Sequence, residues 1–155
     1  MLVIDTAREG DVLWLVFTGA VDERATFDVS LSPLPKVVHV NLRNVSHINS
    51  YGTRLWRNFF HKLRVEAVKI QFAEITPSLV DMMNCMPGIV ELDEVESVCA
   101  PYQCLTCLTQ FEVAVGRSDL SWYKDKPPQA PCPKCGGKAD FDDDADGYFE
   151  FASKL

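Results

Sequence analysis

Cysteine spacing constrains this chain most. Four of its six cysteines form two pairs, Cys104-x-x-Cys107 and Cys132-x-x-Cys135, with 24 residues between them. Two residues between cysteines allow a tight knuckle in which both thiolates face one ion while knuckle N–H groups hydrogen-bond the sulfurs. Two knuckles complete a tetrahedral four-cysteine site, filled by zinc with Zn–S near about 2.3 Å. Such a site has no open coordination position, so it is structural and not catalytic. In a reducing cytosol the pattern reads as metal ligation before disulfides. Two redox pairs, an iron–sulfur site and unligated thiols are the competing readings. No βαβ pattern of the thioredoxin kind surrounds the pairs, which favours zinc. Cys85 and Cys99 stand apart; Cys99 is an alternative ligand, but its spacing to Cys104 is wrong for a knuckle.

The segment that carries the pairs, residues 99–155, differs from what precedes it. It lacks a helical stripe and contains the linker Lys126-Pro127-Pro128-Gln129-Ala130-Pro131. A segment this short has too small a core to stand alone and needs a staple. Two strands are expected around Leu108 to Val115, and a hairpin from Ala139-Asp140-Phe141 to Tyr148-Phe149-Glu150-Phe151. The second knuckle, Cys132-Pro133-Lys134-Cys135-Gly136-Gly137, resembles the zinc-ribbon form, in which glycine relieves the turn. Asp142-x-Asp144-x-Asp146-Gly147 resembles the opening of an EF-hand loop, but the twelfth position is Ser153 and calcium would miss its bidentate glutamate. A polar hairpin turn is the expectation there.

Residues 1–98 read as an α/β domain. Leu2-Val3-Ile4 is a short strand, and the apolar run from Asp11 to Thr18 predicts a strand buried on both faces. Val21 to Phe27 is a weak helix. Lys36 to Leu42 is rich in β-branched residues and predicts a central strand. Leu55, Phe59 and Leu63, with Gly52 and Trp56 beside them, form a helical stripe. Val68 to Ala73 alternates as a strand. Thr76-Pro77 opens a second helix with Leu79, Met82, Met83 and Met86 on its apolar face, and core packing is the default for that stripe. Pro87-Gly88 stops it; Ile89 to Leu92 is a short strand, and Val95 to Val98 continues extended.

Between the central strand and the first helix lies Ile48-Asn49-Ser50-Tyr51-Gly52. Asn49 and Ser50 are good N-cap residues, and a phosphate on Ser50 would lie by free N–H groups and the positive end of a helix dipole. Strand, short loop, Ile-Asn-Ser-x-Gly and amphipathic helix together resemble the STAS domain, the fold of bacterial anti-sigma-factor antagonists and of sulphate-transporter tails. In regulatory members the loop reads Asp-Ser-x-Gly or Asp-Ser-Ser-Gly, and a partner kinase that is also the anti-sigma factor phosphorylates the serine. The resemblance makes Ser50 that serine and puts Asn49 where the family has aspartate. It implies a partner face at Asn49, Ser50, Tyr51, Arg54 and Arg57, on the loop and the helix after it. Family members commonly end with another helix where this chain reaches Cys104. The basic side of the helix, with Arg54, Arg57, Asn58, His61 and Lys62, otherwise reads as an ordinary solvated face.

The net charge of −7 argues against nucleic acid as the main ligand. Both parts share it: residues 1–99 hold 9 basic and 13 acidic groups, residues 100–155 hold 6 and 9. No apolar run approaches bilayer length and no basic signal-peptide region opens the chain, so a soluble, cytoplasmic protein without membrane contact is expected. His39, His47 and His61 are scattered and read as structural or surface residues. Nothing resembles a nucleophile triad, a phosphate-cradling glycine loop or a glycosidase carboxylate pair, so no enzyme is expected. The expected architecture is a STAS-like mixed sheet with packed helices over 1–98 and a zinc ribbon over 99–155. The expected function is that of a regulatory adaptor in bacterial partner switching, binding a kinase-like anti-sigma factor or another STAS-interacting protein. The alternatives are a scaffold subunit that uses the fold for assembly and, less favoured, nucleic-acid binding through the ribbon. A homo-oligomer fits either leading reading.

Overall fold

The chain opens with a hairpin, β1 (Val3–Glu9) and β2 (Val12–Val21), in antiparallel register from Val3 opposite Thr18 to Glu9 opposite Val12. In the computed structural model, which describes residues 1–155, β2 then lies parallel to β3 (Val37–Ile48), and β3 parallel to β4 (Lys69–Ala73). The result is a mixed sheet of order β1-β2-β3-β4. Buried residues alternate along it: Leu13, Leu15 and Phe17 on β2, Val38, Val40 and Leu42 on β3, Ile70 and Phe72 on β4. Period-two alternation places the core on one face. The continuous apolar run of β2 is therefore not buried on both faces as the sequence predicts. Trp14 stays 46% exposed and stacks on His39 with ring centroids 4.2 Å apart.

β3 runs past Leu42 to Ile48, and its pairing with β2 shifts register between Val16 and Thr18 and again between Gly19 and Ala20. Such bulges change which side chains face inward. Burial accordingly passes from Leu42 to Val45 and Ile48, at spacing three. No helix forms over Val21 to Phe27. The buried Asp22 carboxylate accepts the Arg24 backbone N–H at 2.9 Å and its guanidinium at 2.7 Å, a local turn that competes with helix. Those hydrogen bonds hold the Asp22 carboxyl below the usual carboxylate range. Phe27 beyond it stacks on Phe59 at 5.1 Å.

Helix α1 (Ser50–Val65) buries Trp56, Phe59, Phe60 and Leu63 against the sheet. The stripe is centred on Trp56 and Phe60 more than the sequence implies, and Leu55 is only partly buried. Trp56 sits 5.5 Å from Phe72, and its indole N–H donates to the Ile89 carbonyl at 2.7 Å. Helix α2 (Pro77–Cys85) buries Leu79 and Val80, with Met82, Met83 and Met86 packed against the core. Thr76 stands at the cap position without making a side-chain cap bond. Ile89 to Leu92 is not a strand. Ile89 and Val90 are buried in a loop that ends in a 3-10 turn, Leu92–Glu94, closed by reciprocal Glu91 and Glu94 capping.

From there the chain enters β5 (Ser97–Cys104) without a linker. Phe72 bridges Val95 and Ile75 bridges Val98 in parallel, so the approach to β5 and its first residues border the first sheet. Its remainder belongs to a second, wholly antiparallel sheet of order β6-β5-β8-β7, with β6 (Gln110–Gly116), β7 (Ala130–Pro131) and β8 (Lys138–Phe141). The expected boundary between residues 98 and 99 falls inside this strand. One cluster of 36 buried residues runs through both sheets.

Of the two strands expected after the first cysteine pair, one is present, β6; its partner precedes the pair. The linker from Lys126 to Pro131 follows α3 (Leu120–Asp125) and ends in β7. The C-terminal hairpin is absent. After β8, Asp144 accepts the Gly147 N–H at 3.1 Å and caps α4 (Ala145–Tyr148), and a 3-10 segment, Glu150–Lys154, follows. Tyr148 and Phe149 are both buried, which a half-exposed strand cannot achieve because neighbours point to opposite faces. Asn84 of α2 ties this segment down, donating to the Tyr148 carbonyl at 2.9 Å and accepting the Phe151 N–H at 3.1 Å. No helix of the chain is long and apolar enough to cross a membrane.

Candidate functional site

The four paired cysteines converge. Cys104 ends β5, Cys107 follows in the turn before β6, and Cys132 and Cys135 lie in the turn between β7 and β8. Their sulfurs all lie within 4.8 Å of one another, with Cys104 Sγ to Cys135 Sγ at 3.5 Å and Cys107 Sγ to Cys132 Sγ at 3.7 Å. A tetrahedron with metal–sulfur bonds of about 2.3 Å has edges of about 3.8 Å, so this set can close on one ion.

The two knuckles share the same backbone bonds. Leu108 N–H donates to the Cys104 carbonyl and Gly136 N–H to the Cys132 carbonyl; Cys104 N–H donates to the Thr109 carbonyl and Cys132 N–H to the Gly137 carbonyl. Thr106 N–H and Lys134 N–H each lie 3.4 Å from the first sulfur of their knuckle. Both turns need a left-handed residue directly after the second cysteine. Gly136 supplies it at φ 73°, and Leu108 takes it at φ 61° in the first knuckle.

The sulfurs differ in charge preference. A hydrogen bond from the Thr109 side chain, whose Oγ1 is 3.1 Å away, pulls the Cys107 thiol down to about 6. Knuckle N–H groups, that of Cys107 first, lower Cys104 as well. At Cys135 the Gly137 N–H also lowers the value, but the neighbouring sulfurs outweigh it and the thiol is pushed up to about 11. Four thiolates this close repel one another, and only a cation lets all of them ionise. Cys99 is outside the set: it is buried in β5, and burial pushes its thiol up to about 12. Cys85 is exposed at the end of α2. Asp142, Asp144 and Asp146 do not form a second cluster of this kind.

The second site is the start of α1. Asn49 is its N-cap and accepts the Gly52 N–H at 2.8 Å, while its amide donates to Glu23 Oε2 at 2.9 Å. An aspartate could make the first bond but not the second, which gives the asparagine at this position a physical reason. Thr53 closes the turn by donating its N–H and its hydroxyl to the Asn49 carbonyl, each at 2.8 Å. A Cβ on Gly52 would stand 1.8 Å from the Val21 carbonyl, so only glycine lets α1 rest on the end of β2. Ser50 and Tyr51 are exposed on the first turn, and the Arg54 guanidinium lies 5.7 Å from the Tyr51 ring centroid.

Ser50, Arg54, Arg57 and His61 share a cleft of about 540 Å³ with Met86, Gly88 and Glu91 of the loop after α2. Arg64 at its end is occupied, holding Glu94 through two bonds of 2.9 and 2.7 Å. Arg54 and Arg57 form no ion pair. The structure thus brings Ser50, Tyr51, Arg54 and Arg57 together on one exposed surface. Sequence reasoning missed Glu23, Thr109 and the cleft wall at Gly88 and Glu91. Thr109, two residues after Cys107, could have been suspected; Glu23 and Glu91 meet α1 only through the fold.

No family model matches the chain, and no curated protein matches it. Among solved structures, one described as "Crystal Structure Analysis of Mglu" is 27% identical, with a TM-score of 0.38, over 44% of this chain and 18% of that one. The matched part is thus under one fifth of the length of that protein.

Proposed function

We propose that this chain is a non-enzymatic regulatory adaptor of the STAS-like kind, and that it captures a protein partner through the Ser50 loop and α1. The observation that carries the reading is the exposed Ser50 on the first turn of a capped helix, beside two arginines that no carboxylate of the chain engages. A kinase-like anti-sigma factor is the partner class that the STAS-like motif implies. A phosphate on Ser50 adds roughly −1.5 to −2 charges at that contact and remodels or repels the partner. The test is co-purification from cells. Ser50→Asp should weaken the complex and Ser50→Ala should preserve it; equal retention by both variants contradicts a switch at Ser50.

A second reading, an assembly scaffold in which Ser50 is never modified, is favoured by the Asn49 amide, which is spent on Glu23 and leaves the loop without the family's aspartate. That reading expects neither Ser50 variant to affect the complex.

For the cysteine site the proposed occupant is zinc, in a structural ribbon with four cysteine ligands. The set offers only sulfur, and all four ligands come from the chain, which leaves no position open for substrate. Metal analysis should find one zinc per chain. Less than half an equivalent, with four freely titrating thiols, contradicts it.

A further inference from the structure

The cleft along α1 has a charge that the rest of the molecule does not share. The chain as a whole carries −7, yet Ser50 to Val65 holds Arg54, Arg57, Lys62 and Arg64 and not one Asp or Glu. Ser50, Arg54, Arg57 and His61 follow one another at helical spacings of four, three and four, which puts them on one face. That face is about 16 Å long at 1.5 Å per residue. It is walled on the other side by Met86, Gly88 and Glu91. The Glu91 N–H donates to the Glu94 carboxylate at 2.8 Å and the Glu91 carbonyl accepts the Glu94 N–H at 3.0 Å, which fixes the wall and leaves an exposed Glu91 carboxylate on it.

We infer that this cleft takes an extended acidic polypeptide segment of the partner, about five residues long at roughly 3.3 Å per residue. The inference rests on α1 being the partner face and names the chemistry recognised there. An extended acidic segment brings carboxylates for Arg54 and Arg57 and backbone N–H groups for Glu91. A simple inorganic anion brings only the first. Duplex nucleic acid presents a charge every 1.7 Å or so, which two unpaired arginines on an acidic protein cannot match. Arg54 and Arg57 are exposed, so the contact is salt-sensitive and acts mainly on association and orientation.

The test uses a fluorescein-labelled octapeptide of alternating glutamate and serine, titrated with the full-length protein at low ionic strength and read by anisotropy. Saturable binding is expected, with chemical-shift changes confined to the α1 face and residues 86–91. Arg54→Glu with Arg57→Glu should weaken it at least tenfold. Lys69→Glu with Lys126→Glu makes the same change in net charge elsewhere and should weaken it less than threefold. No saturable binding, or equal losses in both double variants, overturns the inference. Preferential binding of an oligonucleotide or of phosphate through the same arginines also overturns it. So does a homodimer in sedimentation that Arg54→Glu with Arg57→Glu dissolves, because a second copy would then be the occupant. If a partner complex sensitive to Ser50→Asp survives the arginine changes, the cleft inference fails while the Ser50 reading stands.

Discussion

Around the first sheet, Phe17, Phe27, Trp56, Phe59, Phe60 and Phe72 interlock with ring centroids 4.7 to 6.5 Å apart. The second sheet has two unlike ends. Where it meets α2 and α3, Tyr102, Phe141, Tyr148 and Phe149 pack as a continuation of the same core. At the knuckle end Leu105 and Leu108 are 58% and 65% exposed, and the buried set thins to Cys104, Cys132 and Ala139. The difference shows where a metal would add most: not across the whole C-terminal region, but at the end where the core narrows to Cys104, Cys132 and Ala139. β5 spans the contrast, since Val98 bridges Ile75, two residues past β4, and Cys104, at the far end of the strand, is a candidate metal ligand.

The strongest way to break this contrast is Cys135→Ser. With the proposed zinc in place, a structural site contributes on the order of 10 kcal/mol of apparent folding energy, so loss of one ligand should melt the knuckles, β7 and β8. Near-ultraviolet dichroism should lose the ribbon contribution while the far-ultraviolet signal of α1 persists. The complementary change, Trp56→Ala, should cost about 3 to 5 kcal/mol in denaturant unfolding, because it empties the middle of the aromatic cluster and leaves the Ile89 carbonyl without its donor. It should leave metal stoichiometry intact under native conditions.

Asn84→Ala probes the joint between the regions. Its side chain bonds the Gly147 and Tyr148 carbonyls and the Phe151 N–H. Removing it should cost about 1 to 3 kcal/mol, with faster amide exchange confined to residues 145–155. Smallest in effect, and opposite in sign, is Leu108→Gly. A left-handed non-glycine residue costs about 1–2 kcal/mol. Glycine gives back about 0.5–1 kcal/mol through the unfolded chain. A gain of up to about 1 kcal/mol in ribbon stability is expected, and a loss would mean that the exposed Leu108 side chain packs usefully.

The parts legible in the sequence are those whose signal is local. Cysteine spacing announced the knuckles, and the cap and stripe announced α1 and α2. What was not legible depended mostly on partners distant in sequence, with two local side-chain turns, at Asp22 and Asp144, as the exceptions. The β2 run could not reveal that its outer face carries Trp14 on His39 in place of a second packed layer. Asp22 defeated the weak helix at Val21 to Phe27 through a side-chain turn. The Asp142 to Gly147 stretch reads as a hairpin turn, but Asp144 to Gly147 is a helix cap, and adjacent burial of Tyr148 and Phe149 follows from docking on α2. Composition changes at the 98/99 boundary, yet the chain crosses that point within a strand. At the proposed partner face, a motif and a helical spacing point to Ser50, Tyr51, Arg54 and Arg57, whereas Glu23 and Glu91 needed the fold.

With the proposed metal bound, the first sheet stands on its aromatic core and the knuckle end on four cysteine–metal bonds. Hydrogen exchange before and after chelation tests it most directly. Protection should be lost in the two knuckles, β7, β8 and the second half of β5, while β1 to β4, α1 and the Cys99 amide, which donates to Ile75, keep theirs. Loss of protection throughout the chain, or no loss anywhere after the metal is removed, would contradict it.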